Sequence, residues 1–347
     1  MSKYTIFKYS RKKVNEAGAT LINPLASLAD MDEAYKIANN WRSSHSWPMN
    51  VLYMIVKRAA AIFGTNIPVV QRLKRMHSIQ RKLTLLKRKN LTLSKMQDIA
   101  GCRAIAKDVK AVYDLVQRIK SSHIKHRFEW CDDYIASPKV KSGYRGVHLI
   151  YSYFSDKNKY YNGHRIEIQL RTPLQHAWAT AVETVDTFTN QVLKSNQGTK
   201  PWKKFFKLMS TVIALHEKTK PAPDTPADIS KIKIILLNYP EQIKTIRSIN
   251  QSGHILPHLL EQDKESYYFL LILNSTQRTA TVRGFSKADN KIATEQYLQA
   301  ERDNASRPNI DVVLVSTETI KILQSTYTNY FLDIREFAKI LEKTLEG

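Results

Sequence analysis

Cysteine is nearly missing: only Cys102 and Cys131 occur in 347 residues, and they form no Cys-x-x-Cys pair. That spacing excludes a disulfide framework and a structural zinc site, and such sparse cysteine fits a reducing cytoplasm. Long apolar runs are also missing. The longest, Tyr267 to Leu273, is far too short to cross a bilayer. The opening Met1-Ser2-Lys3-Tyr4 leads into no apolar core followed by a small-residue cleavage site, so no secretory leader is expected. A stretch free of acid stands out as well. From Arg72 to Lys89 eight of eighteen residues are basic and none is acidic.

What is present is an ordinary globular composition, 43% hydrophobic and 24% charged, with a net charge of +23. Global disorder is therefore not expected, and the length allows one large domain or two ordinary ones. The charge is uneven. Thirty-nine basic and 15 acidic residues precede Pro221, against 15 and 16 from Pro221 onward. A field of that sign favours polyanions, whether nucleotides, RNA or an anionic membrane, and composition does not choose among them.

In chain order, residues 1–65 read as mostly helical, through 32–40 and an apolar-rich run at 51–63. The segment from Trp41 to Pro48 should be a loop, because Pro48 disfavours helix at Trp47. His45, between two tryptophans, is expected to pack rather than to react. The basic stretch has two readings, a solvated helix or a phosphate-binding face. At helical spacing Lys74, Ser78, Arg81 and Lys82 would share that face. Next, Gln97 to Ala106 reads as a strand entered through Gly101, with Asp98 at its start and Arg103 projecting from it. Asp98 is either a salt-bridge partner or the hard oxygen ligand that Mg²⁺ needs beside substrate phosphates. Lys107 to Lys120 is amphipathic and predicts a helix that packs on the sheet.

The densest stretch runs from Asp133 to Trp178. It holds Pro138-Lys139, Gly143-Tyr144-Arg145-Gly146-Val147-His148, Glu167-Ile168-Gln169-Leu170-Arg171 and Gln175-His176-Ala177-Trp178. Alternation predicts a strand over 146–153 and another over 164–171. The second turns Ile166, Ile168 and Leu170 to the core, and Arg165, Glu167, Gln169 and Arg171 to the opposite face. Two cations flanking an acid and an amide on one face form a site more often than a plain surface. Thr172-Pro173 then reads as an N-cap and first-turn proline of a helix.

These blocks resemble the synthetase domain of the RelA/SpoT family of alarmone synthetases, over roughly residues 72–196 and in the family's order. The resemblance implies an α+β fold, a mixed β-sheet flanked by helices related to nucleotidyltransferases. It also implies transfer of the β,γ-pyrophosphate of ATP to the 3′-hydroxyl of GDP or GTP, giving (p)ppGpp and AMP with Mg²⁺ as cofactor. Carried over by position, Arg72 and Arg103 would clasp adenine, and Lys74, Lys82 and Arg88 would hold the ATP phosphates. Asp98 and Glu167 would hold the metal, with Glu167 also activating the 3′-hydroxyl and Gln169 and Arg171 positioning it. Tyr144, Lys139 and His148 would form the acceptor site. The chain departs from the commoner family pattern at Asp132, Ser142 and Gly146, all on the acceptor side. No His-Asp dipeptide occurs, so the family's metal-dependent hydrolase domain is not expected.

Pro221 to Pro226 reads as a linker. Beyond it one helix, a hairpin over 267–285, a helix over 287–302, a strand over 310–315 and a helical segment from Thr317 with a break near Asn329 predict a small α/β module. The expected division is thus a helical extension (1–65), a synthetase domain (66–220) and a linker with an accessory module (221–347). The partners implied are ATP and GDP or GTP, no membrane, and a homo-oligomer left open. Two alternatives stay open. One is the same chemistry on another 3′-hydroxyl, of an adenine nucleotide or a tRNA end, as a growth-inhibiting toxin. The other is a catalytically silent nucleotide- or RNA-binding module.

Overall fold

The computed structural model describes the chain apart from residues 1–3, 64–66, 190–192, 194–197, 252–265, 275, 278, 305–306, 308, 318–321, 324–325, 327–332 and 347, and apart from the side chain of Arg88. Among the described residues eight strands form one mixed sheet in the order β3-β4-β5-β2-β1-β8-β6-β7. They are β1 (Val69–Leu73), β2 (Ala100–Ile105), β3 (Arg127–Asp133), β4 (Val147–Ser152), β5 (Arg165–Arg171), β6 (Tyr268–Asn274), β7 (Thr279–Phe285) and β8 (Ile310–Ser316). Only β2 and β5 pair in parallel; the other neighbours are antiparallel. With its flanking helices this is the expected α+β class.

The helices are α1 (Arg11–Thr20), α2 (Leu28–Ser44), α3 (Ser46–Ala61), α4 (Met76–Leu85), α5 (Val109–Lys120), α6 (Pro173–Thr189), α7 (Lys200–His216), α8 (Ile229–Leu236), α9 (Pro240–Gln251), α10 (Asn290–Asp303) and α11 (Arg335–Glu346). On one face of the sheet, Leu52 and Val56 of α3 and Val112, Leu115 and Ile119 of α5 pack on Cys102, Leu149, Ile166 and Ile168. That apolar layer leaves the opposite face of β2, β4 and β5 for polar residues. A second core joins α6 and α7 (Trp178, Phe205, Phe206) to α8, α9 and α11 (Ile232, Ile246, Phe337, Leu341).

Several expectations change. The loop over 41–48 shrinks to His45 alone, between α2 and α3. Pro48 sits in the first turn of α3, where its missing N–H has no intrahelical partner to lose. His45 is buried, its Nδ1 2.8 Å from the Trp41 carbonyl oxygen, so it does pack. Arg72 lies on β1 and Lys74 just past it, so Lys74 shares no helical face with Lys82 of α4. Pairing to β2 overrides the local helical composition there. Strand β3, which the sequence did not signal, forms the sheet edge on β4. Two helices, α8 and α9, stand where one was expected, because the chain breaks before Pro240 and restarts on it. The hairpin and the strand of the last third fall where expected, and they continue the same sheet: β8 pairs β1 through Gln71 with Ser316 and Arg72 with Val315. The helical segment expected from Thr317, with its break near Asn329, lies largely outside the described residues.

Candidate active site

Strand register assembles the site. Arg103 of β2, Gln169 of β5, His148 of β4 and Asp132 of β3 are direct partners across four adjacent strands. One row along, Arg72, Gly101 and Glu167 are partners in the same way. Residues paired directly project to the same face, so Arg72, Arg103, Gln169, Glu167, His148 and Asp132 share the polar face although they span 98 positions of the chain.

Two carboxylates anchor this face. Asp98, just before β2, binds two lysines: Lys74 Nζ at 2.9 Å and Lys82 Nζ at 2.8 Å. Burial alone would raise the Asp98 carboxyl, but the two ammonium groups hold it well below the usual carboxylate range. Glu167 accepts from His148 Nδ1 at 2.9 Å and from Gln169 Nε2 at 2.7 Å. Burial would raise this carboxyl too, and His148 and Gln169 pull it down. The Asp98 and Glu167 charges repel one another, so a cation between them would be favoured.

A polar chain runs on from Glu167. His148 Nε2 lies 2.6 Å from the Tyr144 hydroxyl, and Arg171 donates to the same oxygen from Nη2 at 2.7 Å. Burial lowers the His148 imidazole, yet Tyr144 and Glu167 together raise it above its ordinary value. Tyr144 would be raised by burial, and Arg171 with His148 lowers it. Arg171 Nη2 and Arg103 Nε both reach Gln169 Oε1, at 3.3 and 3.4 Å. Lys139 Nζ sits 4.4 Å from the Tyr134 ring centroid and 5.1 Å from that of Tyr144, a pair of cation–π contacts.

Thus Lys74, Lys82 and Asp98 come together, as do Glu167, Gln169, Arg171, Tyr144, His148, Lys139 and Arg103. Arg72 lies in the row of Glu167. The backbone of Arg88 forms a 3₁₀ turn (Lys87–Lys89) after α4; its side chain lies outside the described residues. Sequence reasoning missed Tyr134, which stands edge-on to both Tyr144 and His148 at 5.6 and 5.3 Å. Its place beside Asp133, at the start of that dense stretch, was the available signal. It also missed Arg145, buried and bonded to Ser210 and to the Lys220 carbonyl; nothing local marks those partners, 65 and 75 residues away. Gly146, one of the unusual positions, has φ +139°, and a Cβ there would lie 3.1 Å from Arg171 Cγ. A side chain there would press on a site residue. Ser142 Oγ accepts from the Tyr144 N–H at 3.3 Å.

A hard divalent cation suits this donor set. Among the described residues no cluster of three or more His, Cys, Asp or Glu forms an all-protein cage, whereas two ionised carboxylates beside phosphate oxygens are how Mg²⁺ is usually held. The fold and site define an α+β domain with an anion-handling face built on two carboxylates and a set of cations.

Comparison with known proteins gives a family match over part of the chain. Residues 71–188 match the model described as "Region found in RelA / SpoT proteins". The chain is 26% identical over 166 residues to the GTP pyrophosphokinase YwaC of Bacillus subtilis, covering 44% of this chain and 78% of that protein. It is 30% identical over 113 residues to the GTP pyrophosphokinase of Escherichia coli, covering 33% of this chain and 14% of that one. A solved small alarmone synthetase 1 from Bacillus subtilis, bound to its product pppGpp, aligns at 23% identity and TM-score 0.44 over 53% of this chain and 94% of that one. Among the described residues no helix is long and apolar enough to cross a membrane.

Proposed function

We propose that this chain is an ATP-dependent pyrophosphokinase that transfers the β,γ-pyrophosphate of ATP to the 3′-hydroxyl of GDP or GTP. The observation that carries this reading is the pair Asp98 and Glu167, both held ionised, at neighbouring parallel strands inside the matched region. A binding-only protein needs neither acid. The 3′-oxygen would form a bond to Pβ as the Pα–O–Pβ bridge breaks and AMP leaves. The proton of the hydroxyl would pass to Glu167.

Such transfer is mostly positioning and charge neutralisation. Lys74, Lys82 and Arg88 would bind the donor phosphates, and Arg72 with Arg103 would flank adenine. Tyr144 would face the acceptor base, with Lys139 and His148 beside it, while Gln169 and Arg171 hold the polar chain in register. Asp98 and Glu167 would hold Mg²⁺, which supplies charge neutralisation at the phosphates and a lowered barrier to deprotonating the hydroxyl. The division into an extension (1–65), a synthetase domain (66–220) and an accessory module (221–347), and a cytoplasmic setting, belong to the same proposal.

The test incubates purified protein with γ-labelled ATP and Mg²⁺ and, in parallel, GDP, GTP, ADP and deacylated tRNA. Label on GDP or GTP supports the reading. Label only on ADP or tRNA moves the chemistry to another acceptor, and no transfer to any of them leaves a silent binding module.

A further inference from the structure

The donor cradle does not hold itself. Helix α4, which carries Lys82, begins at Met76 with no side-chain cap from its own N-cap residue, Arg75. Its first N–H groups therefore need partners from elsewhere. The Met76 N–H donates to Glu301 Oε1 at 3.1 Å, from α10 and 225 residues away. The same carboxylate faces the buried guanidinium of Arg42 in α2, Nη2 to Oε2 at 3.6 Å. Arg42 Nη1 donates to the Tyr297 hydroxyl at 2.9 Å and to the Lys74 carbonyl at 3.4 Å. One buried cluster from the two ends of the chain thus grips the backbone on both sides of Arg75. The two lysines that bind Asp98 stand on either side of that grip.

We propose that Glu301, with Arg42 and Tyr297, is a positioning group for ATP: α10 caps α4 and so sets the distance of Lys74 and Lys82 from Asp98. None of the three touches the reacting atoms. Their effect falls on the donor, because the polar chain from Glu167 to Tyr144 is anchored instead on α7, through Arg145 and Ser210. A negative carboxylate at a helix N-terminus also suits the helix dipole.

The inference rests on reading Lys74, Asp98 and Lys82 as the donor-phosphate site. The test measures binding of α,β-methylene-ATP with Mg²⁺, and separately of GDP, by calorimetry on full-length wild type, Glu301→Ala, Glu301→Gln and Tyr297→Phe. Circular dichroism identifies the folded variants. Losing the cap should weaken the ATP analogue about tenfold in Glu301→Ala, with GDP affinity within about twofold. Glu301→Gln keeps an acceptor oxygen for Met76 and should stay within about threefold of wild type. Tyr297→Phe deletes one hydroxyl and should weaken the analogue about threefold; it carries the test if Glu301→Ala does not fold. Folded variants that bind the analogue like wild type, or that lose both nucleotides equally, overturn the positioning role alone. A wild type that binds neither nucleotide overturns the functional reading beneath it.

Discussion

At the residue scale the proposed chemistry turns on Glu167 and its neighbour His148. Glu167→Gln keeps the shape but loses the charge that pairs with His148 and would hold a metal. It should lower transfer by at least about 10²-fold while the fold survives, measured by label transfer alongside circular dichroism. Turnover near that of wild type would remove Glu167 from the mechanism. A different histidine governs stability. His164 is buried, Nε2 2.7 Å from Ser44 Oγ and packed against Trp41 and His45. Burial, with the nearby Arg11 charge, pushes its imidazole down to about 4, and His45 is lowered as well. Both are neutral in the folded chain, so the unfolded chain takes up protons first as pH falls through about 6.5. The contribution of these two histidines should be flat above that point, where His148, raised to about 9, instead adds stability as pH falls. Below it their contribution should drop by about 1.4 kcal/mol per pH unit for each, down toward the folded values. Urea midpoints between about pH 6.5 and about pH 5, where His148 is mostly protonated in both states, check the sign; a midpoint that rises on acidification across that window contradicts it.

At the element scale, the loop from Pro138 to Gly146 is held by α7. Gly143 has φ +76°, and an added Cβ would stand 3.0 Å from Ser210 Cβ. Gly143→Ala should cost about 1–2 kcal/mol, and should raise KM for the acceptor more than for ATP. Steady-state kinetics with each nucleotide varied in turn would check it, and equal changes would argue against a separate acceptor wall. Elements with strong local patterns were legible: α5, β5 with its Arg165, Glu167, Gln169, Arg171 face, and the Thr172 cap on α6, where Thr172 Oγ1 accepts from the Gln175 N–H at 3.2 Å. Strand β3 was not, because Glu129 to Asp133 alternates no core residues and owes its strand to pairing with β4. Lys74 was misplaced on a helix because the strand it follows pairs near residue 100, and its own N–H donates to the Ile99 carbonyl, beyond any local window.

At the scale of the whole molecule, the last third is packed into the fold. Ala222 is buried, and its N–H donates to Thr211 Oγ1 at 3.0 Å, so the proline-rich stretch lies against α7 with no slack. Phe337 and Leu341 of α11 complete the core around Phe206, and β8 covers the edge of β1. Truncation after Lys220 would expose that core and an open strand edge together. The shortened chain should be poorly soluble or lose its near-UV circular dichroism. A soluble fragment with full transfer activity would show that the remainder folds and works without these contacts. The charge division takes a structural form here as well: Glu301 and Asp311 of the balanced third pair with Arg42 and Arg75 of the basic part.

The sequence by itself determined the proposed reaction class and most of the candidate residues. Asp98, Glu167, Gln169, Arg171, Tyr144 and the basic run are local in pattern, and their chemistry is set by residue type and spacing. The tertiary structure decided which of them meet. Parallel pairing of β2 with β5 puts Arg103 beside Gln169, and antiparallel β4 brings His148 onto Glu167. It also decided that helices from both ends of the chain grip the segment from Lys74 to Met76. Those contacts join residues up to 255 positions apart, and only the burial of a common core brings such residues within hydrogen-bonding distance.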